Sequence, residues 1–234
     1  MNLSKRNAAL AALEYVESGM VLGLGSGSTA EMFVEALGER VAGGLKVRGV
    51  PTSSGTEACA REAGIDLVDP NHFERIDLCV DGADEVDPQF NMIKGGGACL
   101  LREKIIASNS TRMVCIVDER KMVETLGAFA LPVEIDAFAM ALTADQVRAA
   151  LIASGVDSPV ITVREVEGRP LVTDGGHYLL DCRCERLPDA RAAALALSGI
   201  AGVMEHGLFI DVADVVIVGE PDHARVMELS RDGG

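Results

Sequence analysis

Short, almost wholly apolar segments that alternate with helix-like segments constrain this chain more than any other feature. The clearest are 21–24, 75–80, 112–119 and 213–221, and each is too short for a buried helix. Strands that are apolar along their whole length are buried on both faces, which is typical of parallel sheets covered by helices. We therefore predict an α/β fold with an open, mostly parallel, Rossmann-like sheet.

The pattern changes at about Leu131. A helix is predicted over 143–155, with Thr143 and Gln146 as a capping box, and another over 188–199. Between them, two alternating segments predict antiparallel strands joined by a hairpin turn at Asp174–Gly176. We predict a smaller α+β, ferredoxin-like domain at 131–205, inserted into an α/β domain formed by 1–130 and 206–234.

The charge of the chain restricts its partners. The net charge is −15, which repels nucleic acid and anionic membrane surfaces, and no apolar run is long enough to span a bilayer. We therefore expect a cytoplasmic protein with a small-molecule partner.

The six cysteines lack metal-binding spacing and are expected to be reduced core residues, with Cys182 and Cys184 on one face of a strand.

The segment after the first predicted strand can bind an anion. It reads Gly23-Leu24-Gly25-Ser26-Gly27-Ser28-Thr29 and leads directly into a helix. Backbone N–H groups at a helix start are unsatisfied within the helix, and the helix dipole favours negative charge there. The segment lacks the lysine of a P-loop and the third glycine of a dinucleotide fingerprint. A mononucleotide, a sugar phosphate or an acyl-CoA is compatible with it, as is a plain tight turn.

The segment 81–104 concentrates acids, one lysine and three glycines. Asp81 directly follows an apolar strand, and the tight turn Asp81-Gly82-Ala83-Asp84 can direct two carboxylates into one cleft. Lys94 precedes Gly95-Gly96-Gly97, where the backbone can approach a ligand or adopt positive φ. Glu103 is expected about two turns into the next helix. Glu85 and Asp87 are expected to be solvated.

Acids, one lysine and a phosphate-binding turn suit proton transfer beside a carbonyl. A carboxylate can remove a carbon-bound proton, and a lysine can stabilise the negative oxygen of the resulting enediolate. Binding of a remote phosphate would hold the geometry. The pattern therefore predicts an aldose–ketose isomerase without a metal or another cofactor. A sugar-phosphate sensor and an acyl-CoA transferase with a glutamate nucleophile are the alternatives.

Several motifs resemble those of the ribose-5-phosphate isomerase type A family. They are GLGSGSTA, DGADE, MIKGGGACLLREKIIA, VDERKMVETLG, LPVEI and the closing GLF…ADVVIVG, and they match in order and spacing. The likeness spans nearly the whole chain and is looser over 156–186. Leu101 stands where the family commonly has threonine, on a different side of the helix from Glu103.

The resemblance implies interconversion of D-ribose 5-phosphate and D-ribulose 5-phosphate in the non-oxidative pentose phosphate pathway. It implies a homodimer or homotetramer that needs no cofactor. It assigns Glu103 as the base, Asp81 to ring opening and proton shuttling, and Asp84 and Lys94 to the sugar oxygens and the enediolate. The implied substrate-binding residues are Ser26, Gly27, Ser28, Thr29, Gly82, Ala83, Gly95, Gly96, Gly97 and Lys121. Lys5 is a further candidate near the phosphate.

Overall fold

The computed structural model describes residues 2–72 and 75–229. Its six α-helices are α1 (Leu3–Ala12), α2 (Ser28–Ala42), α3 (Ser54–Glu62), α4 (Leu100–Ser108), α5 (Met140–Ala153) and α6 (Ala190–Ser198). Its first eight strands are β1 (Val21–Leu24), β2 (Arg48–Pro51), β3 (Asp66–Leu67), β4 (Leu78–Asp81), β5 (Glu85–Val86), β6 (Met92–Ile93), β7 (Met113–Asp118) and β8 (Leu131–Ile135). The remaining eight are β9 (Val160–Val163), β10 (Glu165–Val166), β11 (Arg169–Pro170), β12 (Tyr178–Arg183), β13 (Val203–His206), β14 (Leu208–Phe209), β15 (Val215–Gly219) and β16 (Ala224–Glu228).

The described residues divide into two compact units. The first comprises those of Met1–Ala83, Arg102–Met122 and Asp211–Gly234. The second comprises Asp84–Leu101 and Val123–Ile210. The domain boundaries predicted from the sequence stay a prediction. None of the helices in the described ranges is long and apolar enough to cross a membrane.

A seven-stranded sheet forms the centre of the first unit. Its spatial order is β16-β15-β7-β4-β1-β2-β3, and every neighbouring pair is parallel except β15 with β16. The central strands β1, β4, β7 and β15 are buried at every position. Full burial explains why their sequences are apolar without alternation, and the predicted mostly parallel α/β sheet is confirmed.

The helices of the first unit supply the apolar faces that cover this sheet. The side chains of Phe33, Val34 and Leu37 on α2 pack in the same core as Leu22 of β1. Helix α1 ends at Ala12, and a 3₁₀ turn, Leu13–Tyr15, follows it. After β7 the chain forms a 3₁₀ turn at Glu119–Lys121.

The second unit contains a four-stranded antiparallel sheet with the order β13-β8-β12-β9. Along the chain its elements follow as β8, α5, β9, β12, α6 and β13. This is the split βαβ arrangement of ferredoxin-like folds, as predicted. Its core joins Val147 and Leu151 of α5 and Leu197 of α6 to Leu180 and Cys182 of β12.

Two local predictions in the second unit were wrong. Helix α5 begins at Met140, after Ala139 at φ 54°, so Thr143 lies inside the helix and is buried instead of capping it. The turn at Asp174–Gly176 exists, because Gly176 N–H donates to the carbonyl of Thr173, but it separates strands that do not pair. The paired ribbon beside it is β10 with β11, which turns at 167–168.

Candidate active site

Most of the predicted site residues of the first unit lie at one edge of its sheet. Because β1, β2, β4 and β7 are parallel neighbours, their carboxyl ends meet at the same edge. The loop after each strand therefore opens on the same side of the sheet. The site residues at this edge are Ser26, Gly27, Ser28, Thr29, Asp81, Gly82, Ala83 and Lys121.

Asp81 ends β4 and is fully buried. Its Oδ1 accepts hydrogen bonds from the backbone N–H groups of Ser26, at 3.1 Å, and Gly82, at 2.7 Å. A β-carbon on Gly25 would come within 2.2 Å of the Asp81 carboxylate carbon. Only glycine therefore lets the end of β1 pass this close to the carboxylate.

The turn after β1 presents the start of a 15-residue helix, α2. Gly27 is the N-cap at φ +90°, a conformation that favours glycine, and Ser28 is exposed. The Lys5 ammonium donates to Ser28 Oγ at 2.6 Å. A lysine, a hydroxyl and the N–H groups of a helix start together form an anion-binding arrangement.

A cluster of hydroxyl groups supports the same turn. Ser26 Oγ lies 2.8 Å from Thr52 Oγ1, 2.9 Å from Ser53 Oγ and 3.0 Å from Thr56 Oγ1. Ser53 also caps α3 by accepting a hydrogen bond from Thr56 N–H. Thr56 Oγ1 donates to the carbonyl of Gly25 at 3.0 Å. These contacts follow from the pairing of β1 with β2, which the hydroxyl-rich sequence alone did not show.

Glu103 lies in the first turn of α4, not about two turns in as the sequence suggested, because the helix begins at Leu100. Its side chain is 4% exposed. Ile106, one turn later on the same helix face, packs against Gly23 of β1. The base predicted from the sequence is thus a carboxylate largely shielded from water.

Lys121 ends the 3₁₀ turn that follows β7 and is partly exposed. The neighbouring Asp118, at the end of β7, is buried. Hydrogen bonds from the Arg120 guanidinium lower the pKa of the Asp118 carboxyl, which therefore stays ionised at neutral pH.

The second unit carries Asp84 and the glycine loop. Gly96 N–H donates to Asp84 Oδ2 at 2.8 Å, and a β-carbon on Gly96 would lie 2.6 Å from Asp84 Oδ1. Gly95 adopts φ +106°, whereas Gly97 is exposed, with open space around its α-carbon. Gly95 therefore permits a turn at positive φ, and Gly96 permits close approach to the Asp84 carboxylate.

Lys94 is 2% exposed. Its backbone N–H donates to the carbonyl of Gly207 at 2.9 Å, and its ammonium lies 5.5 Å from the centroid of the Phe209 ring. The face of an aromatic ring attracts a cation, and a charge shielded from water acts more strongly on its neighbours. Lys94 is therefore a fixed, largely desolvated cation.

The prediction that Glu85 and Asp87 are solvated was wrong. Glu85 is 4% exposed and accepts hydrogen bonds from the backbone N–H groups of Gly127, at 2.7 Å, and Phe129, at 2.5 Å. Asp87 is 7% exposed and accepts from Gln89 N–H and Asn91 N–H, both at 2.9 Å. Both carboxylates hold loops of the second unit in place.

Residues 48–223 match the family model of ribose 5-phosphate isomerase A, also called phosphoriboisomerase A. The chain belongs to the ribose 5-phosphate isomerase A family. The resemblance predicted from the motifs is confirmed, and the protein is an isomerase and not the sensor or the acyl-CoA transferase considered as alternatives.

Individual relatives match the chain almost from end to end. Ribose-5-phosphate isomerase A of Maricaulis maris is 60% identical over 96% of this chain and 97% of its own. The ribose 5-phosphate isomerase of Plasmodium falciparum has a TM-score of 0.90 at 32% identity, covering 97% of this chain and 98% of its own. A D-ribose-5-phosphate isomerase solved in complex with phospho-erythronic acid has a TM-score of 0.88 at 36% identity, with the same coverage.

Proposed function

We propose that this isomerase interconverts D-ribose 5-phosphate and D-ribulose 5-phosphate through an enediolate, with Glu103 as the base. The observation that carries the proposal is the similarity to ribose-5-phosphate isomerase A over 96% of the chain. The positions and burial of Glu103 and Lys94 support the mechanism.

Glu103 is proposed to move a proton between the C2 and C1 carbons of the open-chain sugar. Its carboxylate takes the proton from C2 of the aldose, and the electrons of that bond form the enediolate. A proton then moves from the C2 hydroxyl to the C1 oxygen, and the proton held by Glu103 returns to C1 to give the ketose. A glutamate is ordinarily ionised at neutral pH and can act as such a base. Its burial at 4% exposure supports the role, because bulk water is kept from the intermediate.

Lys94 is proposed to stabilise the enediolate oxygen. The oxygen is neutral in the aldose and negative in the intermediate, so a cation fixed before the reaction lowers the barrier more than it strengthens substrate binding. The burial of Lys94 and the position of its ammonium over the Phe209 ring support this role. Asp81 is proposed to assist ring opening, and Asp84 to hold sugar hydroxyl groups.

The phosphate is proposed to bind at the turn Ser26–Thr29, with Lys5 and Lys121 contributing positive charge. The ion-binding start of α2 and the Lys5–Ser28 hydrogen bond support this placement. The complex of the solved relative with phospho-erythronic acid supports a phosphorylated sugar-like ligand. Assembly as a homodimer or homotetramer, and a cytoplasmic location, stay predictions.

The decisive assay uses the purified protein with D-ribose 5-phosphate in buffer that contains EDTA. We expect D-ribulose 5-phosphate to form, because the proposed groups are all side chains of the protein. In D₂O less than one solvent deuterium per turnover should enter the product at C1, because Glu103 is shielded from water while it holds the proton. Absence of turnover would contradict the proposed reaction, and turnover that metal restores after EDTA treatment would contradict the proposed mechanism.

A further inference from the structure

Arg164, which directly follows β9, forms an ion pair with Asp181 in the middle of β12. The Arg164 Nε donates to Asp181 Oδ2 at 2.9 Å, and its Nη2 donates to Asp181 Oδ1. Both side chains are largely buried, at 15% and 24% exposed. Two parallel hydrogen bonds fix the plane of the guanidinium, as a single contact would not.

The remaining arm of this guanidinium reaches the glycine loop. Arg164 Nη1 donates to the carbonyl of Gly95 at 2.9 Å and to the carbonyl of Gly96 at 3.1 Å. These residues lie 69 and 68 positions away along the chain, so the contact ties β9 to the loop directly. A charged donor makes such bonds stronger than neutral ones.

Holding the two carbonyls also fixes the two N–H groups that share their peptide planes. A trans peptide is planar, so its N–H points opposite to its C=O. The carbonyl of Gly95 shares a plane with Gly96 N–H, which donates to Asp84 Oδ2 at 2.8 Å. The carbonyl of Gly96 shares a plane with Gly97 N–H, which is thereby aimed away from the guanidinium.

We propose that Arg164, fixed by Asp181, is a positioning residue for the isomerase reaction. It orients the Gly95–Gly97 loop and, through Gly96, the carboxylate of Asp84. The inference rests on the proposed function, because Asp84 and this loop are its substrate-binding groups. Arg164 acts through these groups and not on the reacting atoms.

The energetics of the pair support a role beyond stability. Removing two charges from water costs free energy that their attraction often does not recover, so apolar residues frequently stabilise such a position equally well. Only arginine has a planar fork that can satisfy a carboxylate and two carbonyls at once. Lysine would keep the charge but lose this geometry.

The test compares Arg164→Ala, Arg164→Lys and Asp181→Asn with the intact protein and with Arg183→Ala. Arg183 is an exposed arginine at the end of β12, so it controls for loss of a cation from the same sheet. We expect kcat/KM of Arg164→Ala to fall by roughly 10- to 100-fold, since small displacements of binding groups have effects of this size. The kcat/KM values of Arg164→Lys and Asp181→Asn should lie between those of Arg164→Ala and the intact protein. The kcat/KM of Arg183→Ala should stay within about two-fold of the intact protein.

The Kd of phospho-erythronic acid measures ligand binding separately from the rate of the chemical step. This Kd should rise for Arg164→Ala and less for Arg164→Lys, with thermal midpoints recorded for each variant. If Arg164→Ala does not fold, the two milder variants decide. Unchanged kcat/KM and Kd in the folded Arg164 and Asp181 variants would overturn the inference. Absence of turnover by the intact protein would instead overturn the proposed function.

Discussion

The absence of a β-carbon at Gly96 lets its backbone approach the carboxylate of Asp84. A β-carbon at this residue would lie 2.6 Å from Asp84 Oδ1, well inside contact distance. The Asp84 side chain is able to rotate away, but it then loses the hydrogen bond from Gly96 N–H. The substitution Gly96→Ala is therefore a probe of the Asp84 position more than of stability.

We predict that Gly96→Ala lowers kcat/KM by at least about ten-fold, because a displaced binding group costs catalysis steeply. Steady-state kinetics and a thermal midpoint for the same variant are the measurements. Gly199→Ala is the matched control: it caps α6, where a β-carbon would meet only an ordinary contact at 3.6 Å. Equal kinetic losses in both variants would show that Gly96 has no special role.

Glu85 shows where single-residue reasoning from the sequence failed. Its solvated environment was predicted from its position in a run of acids, yet its carboxylate is buried and bonded to Gly127 and Phe129. These partners lie 42 and 44 residues later in the chain, so no local pattern indicates them. Asp81 and Glu103 stay predictions as site acids, and they were chosen because chemistry and motif spacing both marked them.

At the scale of elements, Asp77 joins the neighbouring central strands β4 and β1. It lies just before β4 and accepts the backbone N–H of Val21, the first residue of β1, at 2.8 Å. This hydrogen bond, followed by that from Arg75, lowers the pKa of the Asp77 carboxyl. A folded-state pKa below the unfolded one means that ionised Asp77 stabilises the fold at neutral pH.

We predict that Asp77→Ala lowers the free energy of unfolding by about 1–3 kcal/mol at neutral pH, the usual effect of leaving a partly buried N–H without its acceptor. The contribution of Asp77 is present above the ordinary aspartate pKa of about 3.9 and is lost as the pH falls through its lowered value. Asp77→Asn should therefore flatten the acid limb of stability below about pH 4. Denaturant titrations across pH test both effects. Asp66→Ala, at an exposed residue of the edge strand β3, is the control. Equal losses of unfolding free energy in Asp77→Ala and Asp66→Ala would contradict this role of Asp77.

The elements that sequence reasoning predicted best are those whose burial is uniform. Strands β1, β4, β7 and β15 are buried along their whole length, so an unbroken apolar run was sufficient evidence. The start of α5 was missed because Thr143 and Gln146 matched a capping box while tertiary packing buried Thr143 within the helix. Local propensity could not reveal that packing.

At the scale of the whole molecule, the reactivity of the cysteines tests whether the core is packed. Cys182 and Cys184 are buried as predicted, and burial raises the pKa of Cys184 to about 11 and that of Cys182 further still. The thiolate is the reactive form, so both should resist alkylation at about pH 8 in the native protein. Peptide mass spectrometry should find Cys59 and Cys99, which are partly exposed, modified first. Equal labelling of all four would contradict the folded core described for the second unit.

The site as a whole could be predicted only in part. The loops after β1, β4 and β7 follow from the parallel order of strands, because such loops share one edge of the sheet. The hydroxyl cluster around Ser26 and the contact of Arg164 with the glycine loop could not be predicted. Both depend on which strands and loops become neighbours across long stretches of chain.

The most direct test of the central claim is the turnover of Glu103→Gln. The change keeps the shape of the side chain but removes its ability to accept a proton from carbon. We therefore expect kcat to fall by roughly 10²- to 10⁴-fold. The exposed Glu62→Gln on α3 is the matched control and should retain the activity of the intact protein. A folded Glu103→Gln enzyme that converts D-ribose 5-phosphate at the rate of the intact protein would contradict the account.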